Sequence, residues 1–212
     1  MKDLVALVAD KDMEHTLAGL LSRPLALGIR PIQFDVFVHP EHDPGCALRG
    51  VSFLSHFAEQ YGYGLLMFDH EGSGRESNPA TDLRESLDAD FAESPWGERA
   101  RTIVLSPELE AWVWSDSPHV DDVAGWKGRR PRLRAWLMEQ GWLDGKSVKP
   151  ARPKEAFQAA LRIAGRARSS SLYQRIAERV SVQQCTDSSF LEFRNILQHW
   201  FPHEQPGLAG PG

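Results

Sequence analysis

The sequence predicts an α/β fold, a mostly parallel four-stranded sheet flanked by helices and followed by a helical C-terminal region. Two observations carry this expectation. Four short apolar runs alternate with helix-periodic stretches through the first half of the chain, the pattern of strand–helix–strand units. From residue 118 onward only helical periodicity remains.

The first run, residues 2–9, is continuously apolar between acidic residues, as a strand buried on both faces should be. Asp10 to Glu14 then open a helix with Met13, Leu17, Leu20 and Leu21 on one face, ending before Pro24. Residues 32–38 alternate as a second strand, a polar loop covers 39–45, and a helix is expected from about Ser52 to Gln60. The third strand spans Gly64–Phe68 and ends in Asp69-His70-Glu71-Gly72. Asn78-Pro79 caps a helix running to about Ser94. Arg101–Leu105 is the fourth strand, and Ser106-Pro107 starts another helix. Further helices are expected near 118–125, 131–140, 153–166, 171–180 and 187–200. The organisation expected is an α/β core over 1–116, a basic helical region over 117–201 packed on it, and a flexible tail over 202–212.

With 212 residues, 42% hydrophobic and 25% charged, the chain has the bulk for one sizeable core and no low-complexity tract. No apolar run approaches the roughly 20 residues of a membrane span, and the N-terminal run is too short for a signal-peptide core. The expected location is the cytoplasm, with no membrane partner. Cys46 and Cys185 stand in no metal-binding spacing and read as free thiols. The net charge of −5 is strongly divided. Residues 1–126 hold 9 Lys and Arg against 22 Asp and Glu, a net of −13, while residues 127–179 hold 14 against 4, a net of +10. An acidic half can concentrate cations and a basic segment can track phosphates; equally, the two can simply attract each other.

Ligands of open parallel sheets bind beyond the carboxyl ends of the strands. Acidic residues follow the first strand (Asp10, Asp12, Glu14), the third (Asp69, Glu71) and the fourth (Glu108, Glu110). Carboxylates gathered at one edge repel unless a cation lies between them, and Mg²⁺ (or Mn²⁺) suits oxygen donors and phosphate chemistry. Taken singly, Asp10, Asp12 and Glu108 also fit helix caps and first-turn acids.

The order of these elements resembles the Toprim fold of overcoming-lysogenization-defect type nucleases and related small prokaryotic families. The matching stretches are Val8-Ala9-Asp10-Lys11-Asp12-Met13-Glu14, Phe68-Asp69-His70-Glu71-Gly72 and Pro107-Glu108-Leu109-Glu110-Ala111-Trp112. Pro153-Lys154-Glu155 and a closing helix with Phe190, Phe193 and Leu197 extend the likeness to about residue 200. The resemblance implies that Asp10 is a general base or metal ligand, with Glu14 the second carboxylate of its motif. It further implies that Asp69, Glu71 and Glu110 bind metal, and that Lys154 supplies a transition-state cation. Asp10 replaces a Glu, Lys11 a Gly and Glu71 an Asp of the family pattern, so the implied chemistry is either metal-dependent phosphodiester cleavage or a non-catalytic binding role. The wording also resembles a component of methylation-associated anti-phage defence systems, which implies other defence subunits as partners.

Nucleic acid, DNA foremost, is the expected ligand of the basic half. Lys127, Arg129, Arg130, Arg132 and Arg134 form one group, and Arg162 and Arg166, four apart on an expected helix face, belong to another. Trp126, Trp136 and Trp142 lie among them, suited to stacking on unpaired bases or to anchoring a helical core.

Overall fold

The structure is a computed structural model, and residues 1–114, 117–147, 149–183 and 185–203 are described. The expected α/β architecture is present. β1 (Lys2–Val8), β2 (Phe34–Val38), β3 (Tyr61–Asp69) and β4 (Ala100–Leu105) form one all-parallel sheet in the order β2-β1-β3-β4. Residues 4–8 of β1 are wholly buried, as their unbroken apolar run requires of a central strand.

The helices between the strands are α1 (Lys11–Leu21), the short α2 (Pro24–Leu27), α3 (His42–Ser55) and α4 (Ala80–Glu93). Side-chain alternation along β3 shows which face each covers. Tyr63 stacks on Trp200 at 4.7 Å, whereas Leu66 packs so tightly under Gly50 of α3 that a Cβ there would lie 2.6 Å away. Trp96, just beyond α4, fills the space over Gly64 on the Leu66 face. The C-terminal α10 (Ser188–Trp200) therefore lies opposite α3 and α4. Gln198 of α10 donates to Leu27 O at 2.7 Å, which ties α2, and with it α1, to the α10 face. Adjacent strands β1 and β3 thus send the chain to opposite faces, and a crevice opens between their carboxyl ends.

The remaining helices are α5 (Glu110–Val113), α6 (Pro118–Val123), α7 (Leu133–Glu139), α8 (Pro153–Ala164) and α9 (Ser170–Ala177). α9 packs along α1, with its Gln174 carbonyl 2.8 Å from where a Gly19 Cβ would stand. Tryptophans knit this region into the sheet layer. Trp112 meets Phe190 at 5.1 Å and donates to Ser189 Oγ, while Trp114 donates to Pro153 O. Buried side chains from Leu4 to Phe201 make one continuous core. The boundary expected at 116 falls outside the described residues, as do residues 204–212 of the expected tail. Pro202 forms an isolated bridge to Ile29.

Four local expectations differ from the structure, the first being the Asn78 cap, since Pro79 stands at the N-cap of α4 with no side-chain cap hydrogen bond. Residues 42–45, expected as loop, belong to α3, because Pro44 and Gly45 sit in its first turn, where the missing proline N–H costs nothing, and the helix expected to reach Gln60 ends at Ser55. The helix expected from Ser106 begins only at Glu110, since the Leu109 N–H donates to Asp69 Oδ1 at 2.8 Å instead. α8 stops at Ala164, where Gly165 takes a left-handed φ of +68°. Arg166 therefore lies beyond the helix and shares no helix face with Arg162. Among the described residues no helix is long and apolar enough to cross a membrane. Cys46 and Cys185 are free and buried.

Candidate functional site

The crevice between β1 and β3 gathers acidic side chains from four segments. Asp10 follows β1 and caps α1, accepting the Met13 N–H at 2.9 Å. Asp69 ends β3 and is only 6% exposed, with Oδ1 taking the Leu109 N–H. Its own backbone N–H donates to Asp43 Oδ1 at 2.8 Å, so the start of α3 and the end of β3 are clamped together. Glu110 opens α5 at 2% exposure and accepts the Tyr173 hydroxyl at 2.5 Å.

The charges of these groups act on one another. Burial first, then the negative charges of Asp43 and Glu110, hold the Asp69 pKa well above the usual carboxylate range, against the pull of Lys154. Burial also raises Asp43, with Asp10 adding to the rise and the Asp69 N–H opposing it. Glu110 is raised by burial while the Tyr173 hydrogen bond and Lys154 lower it. Lys154, at the start of α8, is the cation of this group. Burial disfavours its charge, yet Glu110, Glu108 and Asp69 outweigh that and raise its pKa. Its Nζ lies 3.3 Å from Glu108 Oε2, and its backbone N–H donates to Glu108 Oε1 at 2.9 Å.

Of the acidic residues singled out in sequence, Asp10, Asp69 and Glu110 are brought together, with Lys154 among them. Glu71 is not: it sits exposed on the turn after β3, its backbone N–H held by Pro107 O at 3.0 Å. Glu14 points along α1, with Oε2 2.6 Å from Lys11 Nζ. Asp12 accepts from Arg168 at 2.5 Å and from Ser170 at 2.6 Å, which fastens the start of α9 to α1. Arg168 Nη2 also stands 3.6 Å from Glu110 Oε1.

Sequence reasoning missed Asp43, His42 and Tyr173, and did not connect Arg168 with this crevice. Asp43 was within reach, because it follows β2 just as Asp10 follows β1. The turn holding it is tightly built. Glu41 N–H donates to His39 Nδ1 at 3.1 Å, and a Cβ on Gly45 would lie 2.1 Å from that nitrogen. Burial lowers the His39 pKa, and Nδ1, as the acceptor of the Glu41 N–H, carries no proton. His42 takes φ +53°, a left-handed conformation uncommon for a residue with a side chain. Its Nδ1 bonds Ala9 O at 3.1 Å, and because a carbonyl only accepts, Nδ1 carries the proton there.

The basic residues are more dispersed than the sequence implied. Arg129 is committed to structure: its guanidinium donates to Gly125 O, Ile163 O and Ala164 O and lies over the Trp126 ring, closing the C-terminus of α8. Trp126 is buried and donates to Ala160 O, with Trp136 tilted against it at 4.9 Å, so these two rings anchor the core. Trp142 lies under Arg152. Arg134 donates to Ser147 O. Lys127, Arg130 and Arg132 line a cleft of about 270 Å³ shared with Asp121 and Asp122. Arg162 and Arg166 are exposed.

The donor set of the crevice consists of carboxylate oxygens, the chemistry Mg²⁺ takes. Among the described residues no group of three or more His, Cys, Asp or Glu side chains stands ready to hold a metal ion. Mg²⁺ does not require one, since it keeps several waters and is held through one or two carboxylates together with substrate phosphates. Compared with protein-family models, curated proteins and solved structures, the chain matches none.

Proposed function

We propose that the chain is a Mg²⁺-dependent, nuclease-like phosphodiesterase acting on nucleic acid, DNA in the first place, as part of a bacterial anti-phage defence system. One observation carries the chemical reading. Asp10, Asp43, Asp69 and Glu110 converge at the switch point of a parallel sheet, where burial and neighbouring carboxylates raise Asp43 and Asp69 and burial raises Glu110, with Lys154 a cation set among them. The Toprim resemblance of the Asp10, Asp69 and Glu110 segments points the same way and supplies the substrate class.

In this reading Asp10 and Asp69 would hold the ion, which when bound supplies charge neutralisation for a phosphoryl centre. The chain's own groups do the rest. Leu109 N–H and Asp43 fix the Asp69 carboxylate and backbone, and rigid placement of this kind is what phosphate chemistry demands of a protein. Tyr173 holds Glu110, and Lys154 offers positive charge to the equatorial oxygens. Exposed Arg162, Arg166, Arg130 and Arg132 give the backbone of a nucleic acid sequence-independent attraction.

The test is incubation with single- and double-stranded DNA and RNA in Mg²⁺ or Mn²⁺. Degradation is expected from the wild type and from neither Asp69→Ala nor Asp69→Asn, the latter retaining an oxygen for Leu109. Equal degradation by the variants refutes the assignment.

A second reading is a non-catalytic subunit that binds nucleic acid or other defence subunits through the same fold. It is favoured by the internal cations already spent on this rim, Lys154 on Glu108 and Arg168 on Asp12. Stable co-purification with a partner, together with no calorimetric Mg²⁺ binding, would select it.

A further inference from the structure

At the far end of α1 from the carboxylate crevice lies a cleft of about 410 Å³, within the size range of small-ligand sites. At 1.5 Å per residue, the length of α1 places it roughly 16 Å from Asp10. Arg23, Ser117, His119, Arg179 and Ser181 contribute its polar wall, and no carboxylate belongs to the lining among the described residues. That is notable because the N-terminal 126 residues carry a net charge of −13, from 9 basic against 22 acidic residues. Ala26, Pro118 and Val182 supply an apolar wall beside the polar one.

The guanidinium of Arg23 is fixed in place. Its Nη1 donates to Ala177 O at 2.7 Å and to Val180 O at 2.9 Å. Guanidinium has five N–H donors in a rigid plane, so Nε and Nη2 remain to serve the cleft without further loss of side-chain freedom. Arg179, in the segment following α9, adds an exposed guanidinium on the same wall. The Ser117 hydroxyl accepts the His119 N–H at 3.4 Å, which leaves its own O–H free to donate. Two arginines and two serine hydroxyls in one cleft suit a phosphate, a tetrahedral, multidentate acceptor. The apolar wall gives a flat ring a place to lie.

We infer that this cleft, formed where Arg23 at the end of α1 meets Ser117–His119 and Arg179–Ser181, binds a 5′-phosphonucleotide unit, phosphate against the arginines and base against Pro118 and Val182. The unit comes either as a free mononucleotide or as the phosphorylated end of a strand, and the same contacts serve both. This site is independent of the carboxylate crevice.

Binding is measured by calorimetry on the full chain with adenosine 5′-monophosphate, adenosine, and a short oligonucleotide with and without its 5′-phosphate. Saturable binding of the monophosphate and not of adenosine is expected, weakened about 10–100-fold in Arg179→Ala by loss of a charge-assisted contact. If that variant melts early, His119→Ala is read in its place. A 5′-phosphate-dependent preference for the oligonucleotide over the monophosphate identifies a strand end as the natural source, and the reverse identifies the free nucleotide. Binding is read without added divalent metal, where no cleavage is expected, so failure of the cleavage reading leaves this result standing. Absence of phosphate-dependent binding to either probe, or binding unchanged in folded Arg179→Ala, overturns the inference.

Discussion

Tyr173→Phe isolates one hydrogen bond at the crevice with little change of shape. The phenol donates to Glu110 Oε1 at 2.5 Å, between residues 1% and 2% exposed, while its ring packs on Phe157 at 5.7 Å. Phenylalanine keeps the ring contact and removes the donor. A hydrogen bond to a charged acceptor contributes about 1.5–3 kcal/mol, whereas a neutral pair contributes about 1. For a chain of this size each kcal/mol moves the melting temperature by about 2–4 °C, so at pH 8 the variant should melt roughly 3–12 °C lower. The pH dependence has a definite sign. Burial raises the folded-state pKa of Glu110 above its ordinary 4.5, and the Tyr173 bond partly offsets that rise. The folded chain therefore holds this proton more tightly than the unfolded chain, and the stability it brings is present at low pH and lost as pH climbs from 4.5 through the folded value. Removing the phenol lifts the folded value further, so the variant loses more over the same climb. The gap between wild type and variant should be small at pH 4 and widen towards pH 8 in calorimetric melts. A gap of one size at both pH values, or no gap at all, refutes this account of Glu110.

Asp43→Asn retains an oxygen for the Asp69 N–H but removes charge from the crevice. Metal-dependent cleavage should fall about 10–100-fold, as for other groups that orient a metal-binding carboxylate, and unchanged turnover would exclude Asp43 from the site. Gly45→Ala forces a methyl into the His39 ring, where 2.1 Å separates the two positions. The expected cost is about 1–3 kcal/mol or more, read as a lower denaturant midpoint at constant slope, and an unaltered midpoint would contradict the packing of this turn. Arg129→Ala should destabilise by about 1–3 kcal/mol through its lost carbonyl and ring contacts while leaving the salt dependence of DNA binding unchanged. Arg162→Ala should leave stability alone and lower the slope of log affinity against log salt by about 1. Exchange of these two phenotypes would reverse the roles assigned to them.

Strand positions and chemistry were legible to different depths. Apolar runs and one alternating stretch located all four strands within a few residues, because a parallel strand buried on both faces, as β1 is, leaves an unmistakable local composition. The carboxyl-edge rule then found Asp10, Asp69 and Glu110 from position alone. It also selected Glu71, which sits exposed on the turn after β3. It passed over Asp43 because Pro44 and Gly45 disguise the first turn of α3 as loop.

Local sequence by itself determined the element types, the edge on which the acids gather and the division of charge along the chain, since these follow from periodicity and residue chemistry over a few neighbours. Only the tertiary structure decided which side chains meet. Arg168 and Tyr173 reach the crevice because α9 packs along α1, and Arg129 turns from a candidate phosphate contact into the cap of α8. Those outcomes depend on contacts between segments tens of residues apart, where packing and hydrogen-bond geometry, not local preference, assign each side chain its partner.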